Sequence, residues 1–334
     1  MKKILILMII LVIAASGAFA QVNIATMEKS FTTFSDDVSS SLPFASTIGL
    51  NWSDATVRSL PHFGVGLSVG AVLIPKDAFV TLSEDMGFTL PSEITGSEYG
   101  VPLPVYTLDG RIGGLFLPFD IGVKVGYLPP DALSGMAMSA DYTLAGFDIR
   151  TPILKQNVLL PSIALSVGYN YLDAGIEAPL DGVGMTSGVD LTGMGLGMLS
   201  FPTPSARFEM QSNVIDAKLQ ISKSLLIITP YLGVGYAYGW SNAGGGVSGT
   251  VNYDGSPITP AQISAIKDAF AAAGYDAPTV STDGFIVSSA STGGSFRAFG
   301  GLSVNLFVLK LDLNAMYNVS TESLGASANV RIAF

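Results

Sequence analysis

The chain has 334 residues, of which 49% are hydrophobic and 13% charged, too apolar for an ordinary secreted globular domain. Beyond the first twenty residues no apolar run is long enough for a membrane helix, so the apolar total is spread over shorter segments. A net charge of −10 with no basic run interleaved with aromatics argues against nucleic acid as a partner, and the absence of cysteine excludes a disulfide framework and thiol-linked lipid.

Lys2 and Lys3 precede an apolar run from Ile4 to Ala15, and Ala18-Phe19-Ala20 is a small-x-small cleavage pattern. Residues 1–20 therefore read as a secretory signal peptide cut near Ala20. Residues 21–60 form a second unit. In it Met27, Phe31, Phe34 and Val38 share one stripe of a helix, while Ser35, Asp36 and Asp37 fall largely off it. A helix ahead of the first strand can plug a barrel or lie across its periplasmic mouth as a cap. Ile48, Leu50 and Trp52 alternate in the manner of a short strand.

Residues 61–334 are dominated by a period of two. Phe63, Val65, Leu67, Val69, Ala71 and Leu73 share one face of a strand at 62–74, and mostly Gly and Ser occupy the other. Alternating segments follow at 104–116, 120–129, 139–150, 158–171, 206–222, 225–240, 295–305, 308–319 and 324–334. Two-faced strands of about 10 residues are what a transmembrane barrel needs, with lipid outside and a polar lumen inside. The predicted fold is all-β, an antiparallel transmembrane β-barrel of about ten strands within a range of roughly eight to fourteen.

Its connections largely alternate in length. Leu117-Pro118-Phe119, Thr151 to Asn157, Ser222-Lys223-Ser224 and the turn at Phe307 are short and belong at the periplasmic rim. The segments 75–103, 130–138, 172–205 and 241–294 are long and belong outside the cell, which places both chain ends in the periplasm. The longest contains strand-like pieces near 246–254 and 281–290. It also contains the capping box Thr259-Pro260-Ala261-Gln262, which predicts a helix over 260–273 stopped by Gly274. Pro75-Lys76-Asp77-Ala78-Phe79 and Leu82 predict a second short helix, and both pack over the barrel as a lid. From Gly182 to Phe201, Met185, Met194 and Met198 alternate with leucines and glycines, an adaptable apolar stretch that packs on other loops or receives a lipid-like ligand.

Tyr127, Tyr169, Tyr171, Tyr238, Trp240 and Tyr317 fall near the outer strand ends, and Phe116, Phe119, Phe307 and Phe334 at the opposite rim, as two interfacial belts require. Opposite the apolar faces lie Asp109, Arg111, Lys124, Asp216, Lys218, Arg297, Lys310, Asp312 and Arg331. Charges of both signs in a narrow barrel either pair and close it or line a gated path. Enzyme chemistry finds little support: His62 is the single histidine, no phosphate-binding loop opens a helix, and no cofactor or metal motif is present.

Val330, Ile332 and Phe334 share the apolar face of the last strand, which ends on the aromatic. This strand resembles the assembly signal of bacterial outer-membrane β-barrel proteins, and the whole mature chain is similar in layout. Leu60-Pro61-His62-Phe63-Gly64-Val65-Gly66 and Leu117-Pro118-Phe119-Asp120-Ile121-Gly122 resemble phrases of uncharacterised spirochaete outer-membrane proteins. The helix ahead of the barrel is similar to the long-chain fatty-acid transporter family, whose residue-level motifs are not matched. The resemblance implies insertion into outer-membrane lipid by the barrel-assembly machinery. The expected function is a narrow or plugged channel or transporter that binds or passes a small or lipid-like solute. The alternative is a structural or surface-interaction barrel without transport.

Overall fold

The structure, a computed structural model, describes residues 24–57, 62–77, 80–81, 100–114, 118–129, 139–179, 188–203, 205–274 and 278–334. The expected signal peptide, Met185 and most of the helix expected after Pro75 lie outside the described residues. The alternating segments become strands because alternation leaves one apolar and one polar face, and only a closed sheet satisfies every backbone group in lipid. They are β1 (His62–Ile74), β2 (Val101–Gly113), β3 (Asp120–Leu128), β4 (Ser139–Leu154) and β5 (Ser162–Pro179). After two short strands, β6 (Gly188–Asp190) and β7 (Met198–Ser200), come β8 (Ser205–Ser222) and β9 (Ile228–Ser248). The chain continues through β10 (Asn252–Tyr253), β11 (Ser256–Pro257) and β12 (Thr279–Ser281) to β13 (Gly284–Leu306), β14 (Leu309–Asn318) and β15 (Ser323–Ala333).

Ten of these close a barrel in the order β13-β14-β15-β1-β2-β3-β4-β5-β8-β9, with β9 pairing back onto β13. Neighbours are antiparallel throughout, and the β1–β15 register from Gly64↔Ala333 to Val72↔Gly325 joins the first strand to the last. Outward side chains are the apolar ones: Val65, Leu67, Val69, Val123, Val125, Val167, Leu232 and Val330 are exposed, while their polar neighbours are buried in the lumen. Exposed Tyr127, Tyr169, Tyr238, Trp240 and Tyr317 mark one edge of this lipid-facing band, and Phe63 stacked on Phe334 at 5.0 Å marks the other.

β9 with 21 residues and β13 with 23 are about twice the length that a tilted strand needs to cross a bilayer. Their upper halves pair with each other beyond the Trp240 belt, from Thr292↔Trp240 to Gly284↔Ser248. The strand-like pieces expected inside the longest loop are partly these extensions, so that loop is shorter than its sequence limits. On β8 the outward positions above the belt turn polar, and Arg207 bridges Glu177 at 3.0 Å and Glu209 at 2.6 Å. β4 likewise runs to Leu154, past the turn expected at Thr151.

A four-stranded sheet in the order β11-β10-β7-β6 and the helix α2 (Pro260–Ala272) cover the long-loop mouth. α2 starts where the capping box placed it, with Thr259 and Gln262 satisfying each other's backbone groups, and it buries Ile266 and Phe270.

The lumen is filled from the same chain. Helix α1 (Ile24–Ala45) lies inside it against β8, β9 and β13, burying Phe34, Val38 and Leu42. It ends just after Pro43, and the Ser46 and Thr47 hydroxyls donate to the carbonyls of Pro43 and Phe44 that the last turn leaves open. The helix enters from the long-loop end, where Ser289 Oγ donates to Asp36 at 3.2 Å and Phe34 meets Phe208 edge-on at 5.8 Å. Residues 46–57 then descend to the short-turn end, where the Ala55 amide donates to Ser222 Oγ at 2.9 Å. The helical stripe thus occupies the interior and not the periplasmic mouth, and its first residues lie at the opposite end from where both chain ends were expected. Met27 and Phe31 belong to this helix, but their side chains are outside the described residues. Ile48, Leu50 and Trp52 do not form a strand: they are buried between wall side chains, and Gly49 and Leu50 adopt φ values of +85° and +55°.

Candidate functional site

The inward faces of the strands carry a belt of buried charge around the N-terminal segment. Among the described residues its cations are Arg111, Lys124, Arg150, Lys218, Arg297, Lys310 and Arg331, and its carboxylates are Asp109, Asp120, Asp148, Asp216 and Asp312. Every charge named from the sequence faces inward, because each alternates with an outward apolar residue. Asp120, Asp148 and Arg150 were not singled out, although Asp148 and Arg150 alternate with outward Phe147 and Ile149 in the same way.

The charges pair by register. Arg111 reaches Asp120 at 2.6 Å and Asp148 at 2.7 Å across β2, β3 and β4, and Arg150 reaches Asp120 at 2.6 Å. Lys218 meets Asp148 at 3.2 Å, Arg297 holds Asp216 through two hydrogen bonds of 2.7 and 2.9 Å, and Arg331 meets Asp312 at 2.7 Å. The charges are therefore split over several pairs: Arg331–Asp312 and Arg297–Asp216 join residues named from the sequence, whereas Arg111 and Lys218 draw on Asp120 and Asp148, which were not.

The remaining donors grip the segment inside. Lys124 Nζ donates to the carbonyls of Ser46 at 2.6 Å and Ile48 at 2.5 Å, and Lys218 Nζ donates to that of Leu50 at 3.0 Å. Gln220 donates to the carbonyls of Trp52 and Ser53 at 2.7 and 2.9 Å, and Arg150 donates to that of Asp54. In the other direction, the Leu50 amide donates to Asp109 at 3.1 Å. An extended peptide has no internal partners for its carbonyls, so burying one in a lumen requires donors such as these.

Two side chains anchor its lower end. The Trp52 ring lies between the Arg331 and Arg111 guanidinium groups, 4.6 and 5.7 Å from its centroid. The Asp54 carboxylate meets Lys310 at 3.0 Å and Arg331 at 3.1 Å. Burial pushes its carboxyl up, but Arg331, Lys310 and Arg150 outweigh this and hold it well below the usual carboxylate range. The space left among these groups at the short-turn mouth is about 20 Å³, enough for about one water.

The wall is cut to fit. A Cβ added at Gly64 would come within 2.9 Å of the Trp52 ring, one at Gly122 within 2.9 Å of Leu50 Cδ2, and one at Gly239 within 2.5 Å of Pro43 Cγ. These three glycines thus make room for the segment's side chains, whereas Gly66, Gly233 and Gly235 lie against side chains and backbone of the wall itself. Asp54 and Trp52 were missed because their partners come from the far end of the chain, so no local period announces them.

The methionine-rich stretch divides. Met194 packs against the apolar cluster of the cap that includes Leu191, Leu199, Phe201, Ile266 and Phe270, whereas Met198 is 47% exposed. Asp190, its single charge, accepts from the Thr192 hydroxyl and amide, which together lower its pKa. Val330 and Ile332 face lipid on β15, and the Phe334 amide donates to the Phe63 carbonyl at 2.9 Å.

Among solved structures the chain is similar to the outer membrane protease OmpT from Escherichia coli, at 10% identity and a TM-score of 0.35, covering 82% of this chain and 96% of that one. It is similar to the translocator domain of the autotransporter NalP from Neisseria meningitidis at 7% identity and a TM-score of 0.35, covering 84% and 91%. The toluene transporter TbuX from Ralstonia pickettii matches at 10% identity and a TM-score of 0.25, covering 84% and 90%. No curated protein matches the chain. The family model that matches covers residues 77–334, all of the barrel beyond β1, and the chain belongs to this family of unknown function, DUF6588.

Proposed function

We propose that this protein is a bacterial outer-membrane barrel that acts as a gated conduit for a small polar solute, held closed by residues 24–57. The observation that carries this reading is the fit between two separate parts: wall glycines lie opposite Trp52, Leu50 and Pro43, and wall cations hold the segment by its carbonyls. A barrel of about ten strands that served only as a structural pillar could fill its bore with its own side chains. This wall instead leaves a bore wide enough for a helix, and polar contacts, which water can replace, hold the lower half of what fills it.

The competing reading, a surface-interaction barrel without transport, draws on the cap over the long-loop mouth, whose buried Phe270, Phe285 and Leu199 make it a folded lid. Planar-bilayer recording separates the two. Trp52→Ala with Asp54→Asn in the full chain removes the lower anchors. If the anchors contribute at least about 1.4 kcal/mol, the open fraction rises about tenfold or more. Deleting residues 27–38 should raise conductance further. Unchanged conductance in both variants, with normal heat-modifiable migration, would leave the surface-interaction reading standing.

A further inference from the structure

The chain as a whole is acidic, with 26 Asp and Glu against 16 Lys and Arg, yet its lumen is not. Among the described residues the buried wall charges number seven cations against five carboxylates, so seven of the sixteen basic side chains of the chain face the lumen. What balances them is the plug. Among the described residues Lys310 has its one ion pair with Asp54, and Arg331 shares its charge between Asp312 and the same carboxylate. Lys124 forms no ion pair among the described residues, and the two oxygens it donates to are the Ser46 and Ile48 carbonyls.

Displacing the segment therefore uncovers cations and few anions. Lys124 is left midway along the bore, and Lys310, Arg331 and Arg150 are left at the short-turn mouth without the Asp54 oxygens they hold. Asp109, the register neighbour of Lys124 on β2, loses the Leu50 amide but keeps the Ser68 and Thr107 hydroxyls at 2.7 and 2.5 Å, so the wall continues to satisfy it. A ring of cations with a fixed surplus in a narrow bore draws anions and repels cations.

We infer that the solute is a small anion bearing carboxylate or phosphate oxygens, and that the Asp54 carboxylate and the Ser46 and Ile48 carbonyls occupy the positions its oxygens take. This rests on the gated-conduit reading. It adds a lumen with two stations, Lys124 within and the Lys310–Arg331 pair at the mouth, for which the plug is an internal competitor.

Selectivity of the openings tests it. Full-length Trp52→Ala/Asp54→Asn is recorded in planar bilayers under a potassium chloride gradient. The reversal potential should show chloride more permeant than potassium, and inorganic phosphate should reduce the chloride current by occupying the stations. Adding Lys124→Glu to the same chain should bring the permeability ratio down to one or below and weaken the phosphate effect. Channels that open but prefer potassium, or that ignore both phosphate and Lys124→Glu, would overturn the anion assignment and leave the conduit standing. If neither this variant nor the one lacking residues 27–38 conducts while both migrate as folded barrels, the conduit fails and the assignment fails with it.

Discussion

Arg297 and Asp216 form an isolated charge pair in the lumen, the arginine fully buried and bound through two parallel hydrogen bonds. No other carboxylate pairs with Arg297 among the described residues, so Asp216→Asn leaves a buried cation uncompensated and should destabilise the barrel by about 3 to 5 kcal/mol. Asp312→Asn should cost measurably less, because Arg331 keeps Asp54 at 3.1 Å. Urea unfolding of both variants in lipid vesicles gives the order, and an equal loss would mean that Asp54 does not share the charge of Arg331. Asp54 also sets a pH expectation. Its carboxyl is held below the ordinary range, so the ion pairs it makes are fully present above the unfolded value and are lost only as the pH falls through the lowered one. Wild-type conductance should therefore stay low from about pH 7 to about pH 5, and an opening that titrates near the ordinary aspartate value of about 4 would contradict this assignment of the latch. Most of the wall charges could be read from alternation alone, since a charge between two lipid-facing residues must face inward. Asp54 could not be read that way, because its meaning depends on Lys310 and Arg331, which the chain brings to it only when β14 and β15 close the barrel.

At the scale of elements, strand membership follows from the period of two because lipid imposes it, and the first strand begins and ends where its alternation does. Where lipid stops, the signal weakens. The upper parts of β9 and β13, Asn242–Ser248 and Gly284–Ser291, are rich in glycine and serine and show no exposed apolar series, so only the strand-like pieces near 246–254 and 281–290 hint at them, yet they pair residue for residue. Ile48, Leu50 and Trp52 err in the opposite sense: they alternate in sequence, but the left-handed backbone at Gly49 and Leu50 breaks any strand and their side chains pack among the wall residues. The contact between α1 and β9 offers a test of how tightly the plug is held. Gly239 lies against Pro43, so Gly239→Leu drives a side chain into the ring, and neither the sheet backbone nor proline can give way without moving the helix. The helix should shift and the conductance rise, while Gly293→Ala, which meets nothing within 4 Å, should leave the channel as in wild type. If both variants remain closed, α1 adapts in place and does not seal the bore by close fit.

For the whole molecule, the path of the N-terminal segment decides what the cell surface carries. β1 rises from the short-turn rim, so the chain reaches His62 at that end, and the preceding contacts climb away from it in order along β8. Ser222 binds Ala55, Gln220 binds Trp52, Lys218 binds Leu50, and Phe208 meets Phe34 near the other mouth. Asp36 reaches Ser289 on the part of β13 that rises above the aromatic belt, and α1 continues outward for twelve more residues to Ile24. At 1.5 Å per residue that is about 18 Å beyond Asp36, which brings the start of the helix to the top of the extended wall. The long loops lie at that end, so it faces outward if short turns face the periplasm. The side chain of Lys29 is exposed there. Because the chain has no cysteine, one introduced thiol reports its own location without background. Lys29→Cys should react with a membrane-impermeant maleimide on intact cells, whereas Thr56→Cys, at the opposite mouth, should react only after the outer membrane is permeabilised. The reverse pattern would invert the barrel in the membrane, and labelling of neither before permeabilisation would place the helix start beneath the cap of β6, β7, β10, β11 and α2.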